Sequence, residues 1–312
     1  MKRSLFTPNL WNIPSGHNLA RFRPVERPPS GGLFHLGVAM AYSSQVLAAV
    51  RAAAQAKILP RFGQLASAEV TAKAAFDDLV TIADVEAEAM IREILARDWP
   101  QARVIGEESV AADPALRDSF GQSGWLVVVD PVDGTWNFSK GLALFGVIAV
   151  VAKDGQLDYG LLYDPLRDDW IEARAGGPAR FVTAAGQVRI LQTSAERDPS
   201  RMLGYVPLVL FEGEARRAAA LAGLGYRRIS SMMCSCHEYR MLAQGHVDFV
   251  LTGPEPHPWD HAAAVVIVQA AGGVARFLDG GVYDITRRRG VLLLASCEEV
   301  WQQVARDYAS LA

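Results

Sequence analysis

Trp125-Leu126-Val127-Val128-Val129-Asp130-Pro131-Val132-Asp133-Gly134-Thr135-Trp136-Asn137-Phe138 is the stretch on which the reading of the fold turns. Leu126 to Val129 form a continuous apolar run of the kind a buried strand shows, and the run breaks at Asp130-Pro131-Val132-Asp133-Gly134. Proline stiffens such a turn and glycine lets backbone come close to a ligand, so Asp130 and Asp133 are expected on one side of a rigid loop. Carboxylates held that way suit a hard divalent cation. An ordinary Asp-Pro-x-Asp-Gly turn leaving a strand accounts for the same letters.

Moving outward toward the N-terminus, acids recur at element boundaries. A helix capped by Ser43 or Ser44 is expected up to Pro60, because Val46, Leu47, Val50, Ala53, Ala54 and Ile58 recur at helical spacing. Phe76 to Ala83 then delivers Asp84, with Glu86 and Glu88 close behind, so Asp84 is either a helix cap or a catalytic acid. That second helix stops at Trp99-Pro100. A short strand, Arg103 to Ile105, ends in Gly106-Glu107-Glu108-Ser109. Paired glutamates alone are usually a solvated turn, but acids at two successive strand ends favour a metal site.

On the other side, Leu144 to Lys153, Gln156 to Tyr163 and Trp170 to Arg174 read as a meander around Asp154-Gly155 and Asp164-Pro165. From about residue 185 strands alternate with helices: Leu203 to Phe211 strand, Glu214 to Ala222 helix, Arg227 to Ile229 strand, His237 to Ala243 helix, Val247 to Leu251 strand. The stiff loop Thr252-Gly253-Pro254-Glu255-Pro256-His257-Pro258 leads to Trp259-Asp260-His261, a helix from Ala262 to Ala271, a strand at Val291 to Ala295 and a last helix from Glu298 to Leu311. The expected fold class is therefore α+β. Three segments follow: a poorly ordered extension over 1–39, an N-terminal α+β lobe over 40–185 and a C-terminal α/β lobe over 186–312.

Composition narrows the partners. Over 312 residues the formal charge is only -3, leaving no general field for nucleic acid or an anionic membrane. Arg287-Arg288-Arg289 reads as a solvated basic turn. Three cysteines are too few for a disulfide framework, so a cytoplasmic protein is expected. The start resembles a signal peptide, but Pro8 and Pro14 interrupt any hydrophobic stretch, and Met40 is a candidate alternative start. Cys234, Cys236 and His237 do not follow a usual zinc spacing and read as buried or helix-face side chains. His257 and His261 flank Asp260 and are read as structural.

Taken together, Asp78-Leu79-Val80-Thr81 with Asp84, Gly106-Glu107-Glu108-Ser109, Asp130-Pro131-Val132-Asp133-Gly134-Thr135 with Asn137-Phe138, and Trp259-Asp260 with Gly272-Gly273 resemble the motif set of the inositol monophosphatase family, over about residues 43 to 312. The resemblance implies a layered αβαβα sandwich of the inositol monophosphatase and fructose-1,6-bisphosphatase type. It implies two to three Mg²⁺ ions held by Glu107, Asp130, the Val132 carbonyl, Asp133 and Asp260. Asp84 and Thr135 would form a pair that, with Glu107, orients and deprotonates water, while the Gly134 and Thr135 amides cradle phosphate. Lithium sensitivity and a homodimer are further expectations from the family.

Departures from the family lie toward the C-terminus. The family's Gly-Ser/Thr-Ala stretch is replaced by Ser230-Ser231-Met232-Met233-Cys234-Ser235-Cys236, and the counterpart of its substrate-contacting acid is Glu255, five residues before Asp260, a shorter interval than the family uses. The expected substrate is a small phosphorylated polyol or metabolite. Fructose 1,6-bisphosphate, histidinol phosphate and 3'-phosphoadenosine phosphate are alternatives, as is a degenerate protein that only binds such a metabolite. Haloacid dehalogenase-type phosphatases also use an Asp-rich loop after a strand, but their acids stand two apart, whereas Asp130 and Asp133 stand three apart.

Overall fold

The computed structural model describes residues 33–66, 69–72 and 79–312. Asp78 and residues 1–32 of the expected extension lie outside the described residues. Helix α1 (Leu33–Ala53) begins ten residues before Ser43, because the apolar run from Leu33 to Met40 contains no proline to break it. A small antiparallel ribbon, β1 (Val70–Ala72) and β2 (Leu79–Thr81), precedes α2 (Ile82–Asp98). Then come β3 (Ala102–Gly106), α3 (Glu107–Ala112), β4 (Trp125–Asp133) and the short α4 (Thr135–Ser139).

Strands β5 (Gly146–Lys153), β6 (Gln156–Asp164), β7 (Asp169–Arg174), β8 (Arg180–Val182) and β9 (Val188–Ile190) complete a seven-stranded sheet in the order β3-β4-β5-β6-β7-β8-β9, parallel at β3/β4 and antiparallel elsewhere. The second half supplies β10 (Leu203–Tyr205), α5 (Gly213–Gly223), β11 (Arg228–Ser230), α6 (Ser235–Ala243), β12 (Phe249–Leu251), α7 (Pro258–Ala270), β13 (Val274–Phe277), β14 (Leu292–Ala295) and α8 (Glu298–Asp307). Its five strands order as β11-β10-β12-β14-β13.

Alternation along the strands sets the layers. Val127 and Val129 of β4 and Val147 and Val151 of β5 pack with Val46, Val50, Ile91 and Leu95 of α1 and α2. Val128, Ile148 and Val150 face the other way, onto Leu242 of α6 and Ala263, Ile267 and Val268 of α7, which share a core with Val250, Leu292 and Leu294 of the second sheet. Phe249, Leu293 and Ala295 then meet Ala219 of α5 and Val300, Trp301 and Val304 of α8. The result is the αβαβα sandwich. Gly160 permits the middle layer: an added Cβ would lie 2.4 Å from the Ala263 carbonyl, so α7 rests on β6 only because that side chain is missing.

Several boundaries differ from the sequence reading for local reasons. Strand β10 stops at Tyr205 instead of Phe211, because Pro207 cannot donate to a ladder and Leu208–Leu210 turn into a 3-10 segment. Helix α7 begins at Pro258, since proline at the first helical position loses no bond the helix needs. That places Trp259, Asp260 and His261 in its first turn. No described helix is long and apolar enough to cross a membrane.

Candidate active site

The end of β4 is built to turn two acids the same way. Residues three apart on a regular strand point to opposite faces. Here Asp130 pairs with Ile148 and Asp133 with Gly146, so β4 spends one more residue than β5 over the interval. That bulge reverses the alternation and returns both carboxylates to one side. The Val132 amide donates to Asp130 Oδ1 at 3.0 Å and holds the bend.

Asp133 is fixed by the middle layer. The Ser235 and Cys236 amides at the start of α6 donate to its two carboxylate oxygens at 3.1 and 2.6 Å, and the Cys234 thiol donates to Oδ2 at 2.9 Å. The first turn of α7 brings in Asp260. Oxygens of Asp130, Asp133 and Asp260 lie within 4.8 Å of one another, an all-oxygen donor set fitted to a hard divalent cation. Glu107, first residue of α3, completes the acid wall of a cavity of about 270 Å³. Burial, then the neighbouring Glu107, Asp133, Asp260 and Asp84, raise Asp130 well above the usual carboxylate range. Burial also pushes Asp133 up to about 6 against the lowering effect of its hydrogen bonds. Carboxylates so crowded call for positive charge among them.

Asp84 and Thr135 meet beside this wall. Thr81, not Asp84, is the N-cap of α2; Asp84 is the third helical residue, its Oδ2 accepting from the Thr81 amide at 2.9 Å in a capping box. Its other oxygen accepts from the Thr135 hydroxyl at 3.1 Å, while the same hydroxyl lies 2.9 Å from the Val132 carbonyl. Both readings of Asp84 are thus compatible in geometry, one oxygen serving the helix and one bonded to Thr135, which lines the cavity. Burial, opposed by the Thr81 hydrogen bond, pushes Asp84 up to about 7. Gly134 precedes α4 with φ 85°, and a Cβ there would fall 2.8 Å from the Leu144 carbonyl. The motif's glycine is required twice over.

Glu255 is not brought into this group. It is exposed on the proline-rich loop, near Arg117, and does not line the cavity. Buried residues that the motif reading did not assign to the site do line it: Glu238, pushed up to about 7 by burial, and Tyr239, whose hydroxyl is 2.8 Å from His261 Nδ1. Cys234 lines it too, whereas Cys236 is buried under Gly146 and the His237 ring bonds the Phe145 carbonyl at 3.0 Å. The signal for Cys234 was its place at the start of α6, where Asp133 needed donors.

An acid-walled cavity between the sheets of such a sandwich is fitted to a divalent cation and the phosphate such an ion binds. The Inositol monophosphatase family model matches residues 42–307, and the chain belongs to the inositol monophosphatase family. It is 29% identical over 242 residues to inositol monophosphatase 1 of Xenopus laevis, covering 74% of this chain and 79% of that one. Inositol-1-monophosphatase of Mesorhizobium japonicum is 32% identical over 249 residues, covering 78% and 88%. An IMPase structure from Thermotoga maritima superposes with a TM-score of 0.70 at 22% identity, over 85% of this chain and 95% of that one, a likeness of fold.

Proposed function

We propose that this phosphatase is a Mg²⁺-dependent phosphomonoesterase that hydrolyses a small phosphorylated polyol or metabolite. The observation that carries the reading is the convergence of Asp130, Asp133 and Asp260, from β4 and α7, on one oxygen-lined point beside Glu107 and the Asp84–Thr135 pair. Glu107, Asp130, the Val132 carbonyl, Asp133 and Asp260 would hold two to three ions. Bound there, Mg²⁺ supplies positive charge to the phosphoryl oxygens and to the departing alkoxide.

The chain's own groups do the rest. Thr135, its hydroxyl shared between Asp84 and the Val132 carbonyl, orients the attacking water, and Asp84 with Glu107 takes its proton. The water oxygen bonds to phosphorus as the ester P–O bond breaks, and the departing alkoxide takes a proton from solvent water to leave as the alcohol. The Gly134 and Thr135 amides face the phosphate at the start of α4. The C-terminal segment from residue 186 contributes the walls that meet the alcohol. Lithium inhibition accompanies the reading, and the free thiols of Cys234, Cys236 and Cys297 support a cytoplasmic setting.

The test is phosphate release from inositol 1-phosphate, fructose 1,6-bisphosphate, histidinol phosphate and 3'-phosphoadenosine phosphate, with and without Mg²⁺, ranked by kcat/KM. Mg²⁺-dependent turnover of at least one ester is expected. Binding without turnover of any would favour the metabolite-binding alternative.

A further inference from the structure

Besides the acids, the cavity has apolar lining. Pro207, Val209, Leu210 and Met233 line it together with Trp136. Val209 is 44% exposed, Leu210 56% and Met233 40%, although large apolar side chains normally gain by burial. These groups are not strays. Leu210 is seated on Gly253, where an added Cβ would fall 2.9 Å from Leu210 Cβ, so the backbone there yields space to keep the leucine at the rim.

Met233 is fixed more firmly still. Its φ is 52°, a left-handed conformation that side chains other than glycine and asparagine rarely adopt. The strain is held by neighbours: Asn137 Nδ2 donates to the Met232 carbonyl at 2.8 Å and the Met233 carbonyl at 3.3 Å, the Ser231 hydroxyl accepts from the Met233 amide at 3.1 Å, and the buried Glu238 carboxylate accepts from the Met232 amide at 2.6 Å. A glycine would relax this backbone. Retaining methionine there puts a long, adaptable apolar side chain on the wall of the cavity. Glu255, the acid the resemblance assigned to substrate, does not line the cavity.

We infer that this wall selects phosphomonoesters whose alcohol part carries an apolar or aromatic face, and that Met233 and Leu210 are its specificity-determining residues. The inference rests on the phosphatase reading and deepens it. A polyol with hydroxyls on every face gains nothing from Val209, Leu210 and Met233, and strands its hydroxyls against them. An alcohol bearing a ring or an alkyl face removes that surface and its own from water, while its phosphate sits at the acids. Methionine suits a ring in particular, because its thioether packs against aromatic edges.

The experiment compares 2-phenylethyl phosphate with glycerol 1-phosphate, both primary alkyl esters, so that leaving-group chemistry is similar and the side group is the variable. With Mg²⁺ present, kcat/KM is expected to favour the phenylethyl ester by at least about tenfold, the scale of a small hydrophobic pocket's discrimination. Met233→Gly should reduce that ratio at least severalfold through a raised KM for the phenylethyl ester, while its melting temperature holds or rises as the backbone relaxes. Leu210→Ser should act in the same direction, and Val188→Ser, an exposed position on β9, should leave the ratio alone. Equal or reversed preference in the unmodified protein, or an unchanged ratio in both rim variants, would overturn the inference and leave the phosphatase reading standing. Absence of Mg²⁺-dependent release from every ester, including inositol 1-phosphate, would overturn both.

Discussion

Asp130 is 2% exposed and faces Glu107, Asp133, Asp260 and Asp84, so each of those charges works against its own ionisation. Replacing it by asparagine removes one of the repelling charges. Asp130→Asn should therefore melt higher than the unmodified protein in a chelating buffer, yet lose the stabilisation Mg²⁺ provides and drop kcat more than about a hundredfold, beyond the cost of altering residues that only support a metal ligand. Thr135→Ala should leave folding nearly intact, within about 1 kcal/mol for the lost hydrogen bonds, and lower kcat by roughly 10²–10⁴-fold if Thr135 positions the water. Denaturant unfolding beside turnover checks both. Asp84, Glu107, Asp130, Asp133 and Asp260 were legible in the sequence because each stands at the end or beginning of an element, where a core acid needs a reason. Glu255 stands apart from the cavity lining, and residue counting cannot say toward which side a loop of three prolines turns.

At the scale of elements, the support for Glu107 comes from a residue that does not line the cavity. Buried Glu88 of α2 accepts from the Glu108 and Ser109 amides at 2.8 and 3.0 Å and so closes the first turn of α3. Gly106 makes the room, since a Cβ there would fall 2.2 Å from Glu88 Oε2. Glu88→Ala should cost about 1–3 kcal/mol through the unpartnered amides, and should lower kcat because α3 no longer holds Glu107 in register. Glu88→Gln, which keeps an acceptor, should recover much of both losses. Strands and helices with clear periodicity, such as α2, β5, β6 and α5, were legible; caps and ends were not. The early start of α1, the Thr81 cap and the shortening of β10 depend on which backbone groups find partners, and periodicity is silent on that.

For the whole molecule, the middle layer was legible through the family resemblance, which implied the αβαβα sandwich, and not through periodicity. Helices α6 and α7 are legible as helices, but turn and capping signals do not say that α7 is covered by a sheet on each face. Its nearly unbroken apolar run, Ala262 to Val268, was the available sign. Burial in that layer, with a smaller contribution from His257, holds His261 down to about 3, against about 6.5 unfolded. The depressed group contributes stability above pH 6.5 that is lost as pH falls through the window from 6.5 to 3, at up to about 1.4 kcal/mol per pH unit. His261→Gln, which preserves an acceptor for Tyr239, should flatten that limb by about one proton in metal-free unfolding curves. An unchanged slope would assign the acid sensitivity elsewhere. Whether the acids gathered from β4, α3 and α7 serve hydrolysis through a divalent cation is decided by following phosphate release from an ester that the protein turns over as Mg²⁺ is titrated from a chelated start, for the unmodified protein and Asp130→Asn. No release in chelator, a saturable rise in the unmodified protein and none in the variant are expected; undiminished release in chelator would rule the divalent cation out of the reaction.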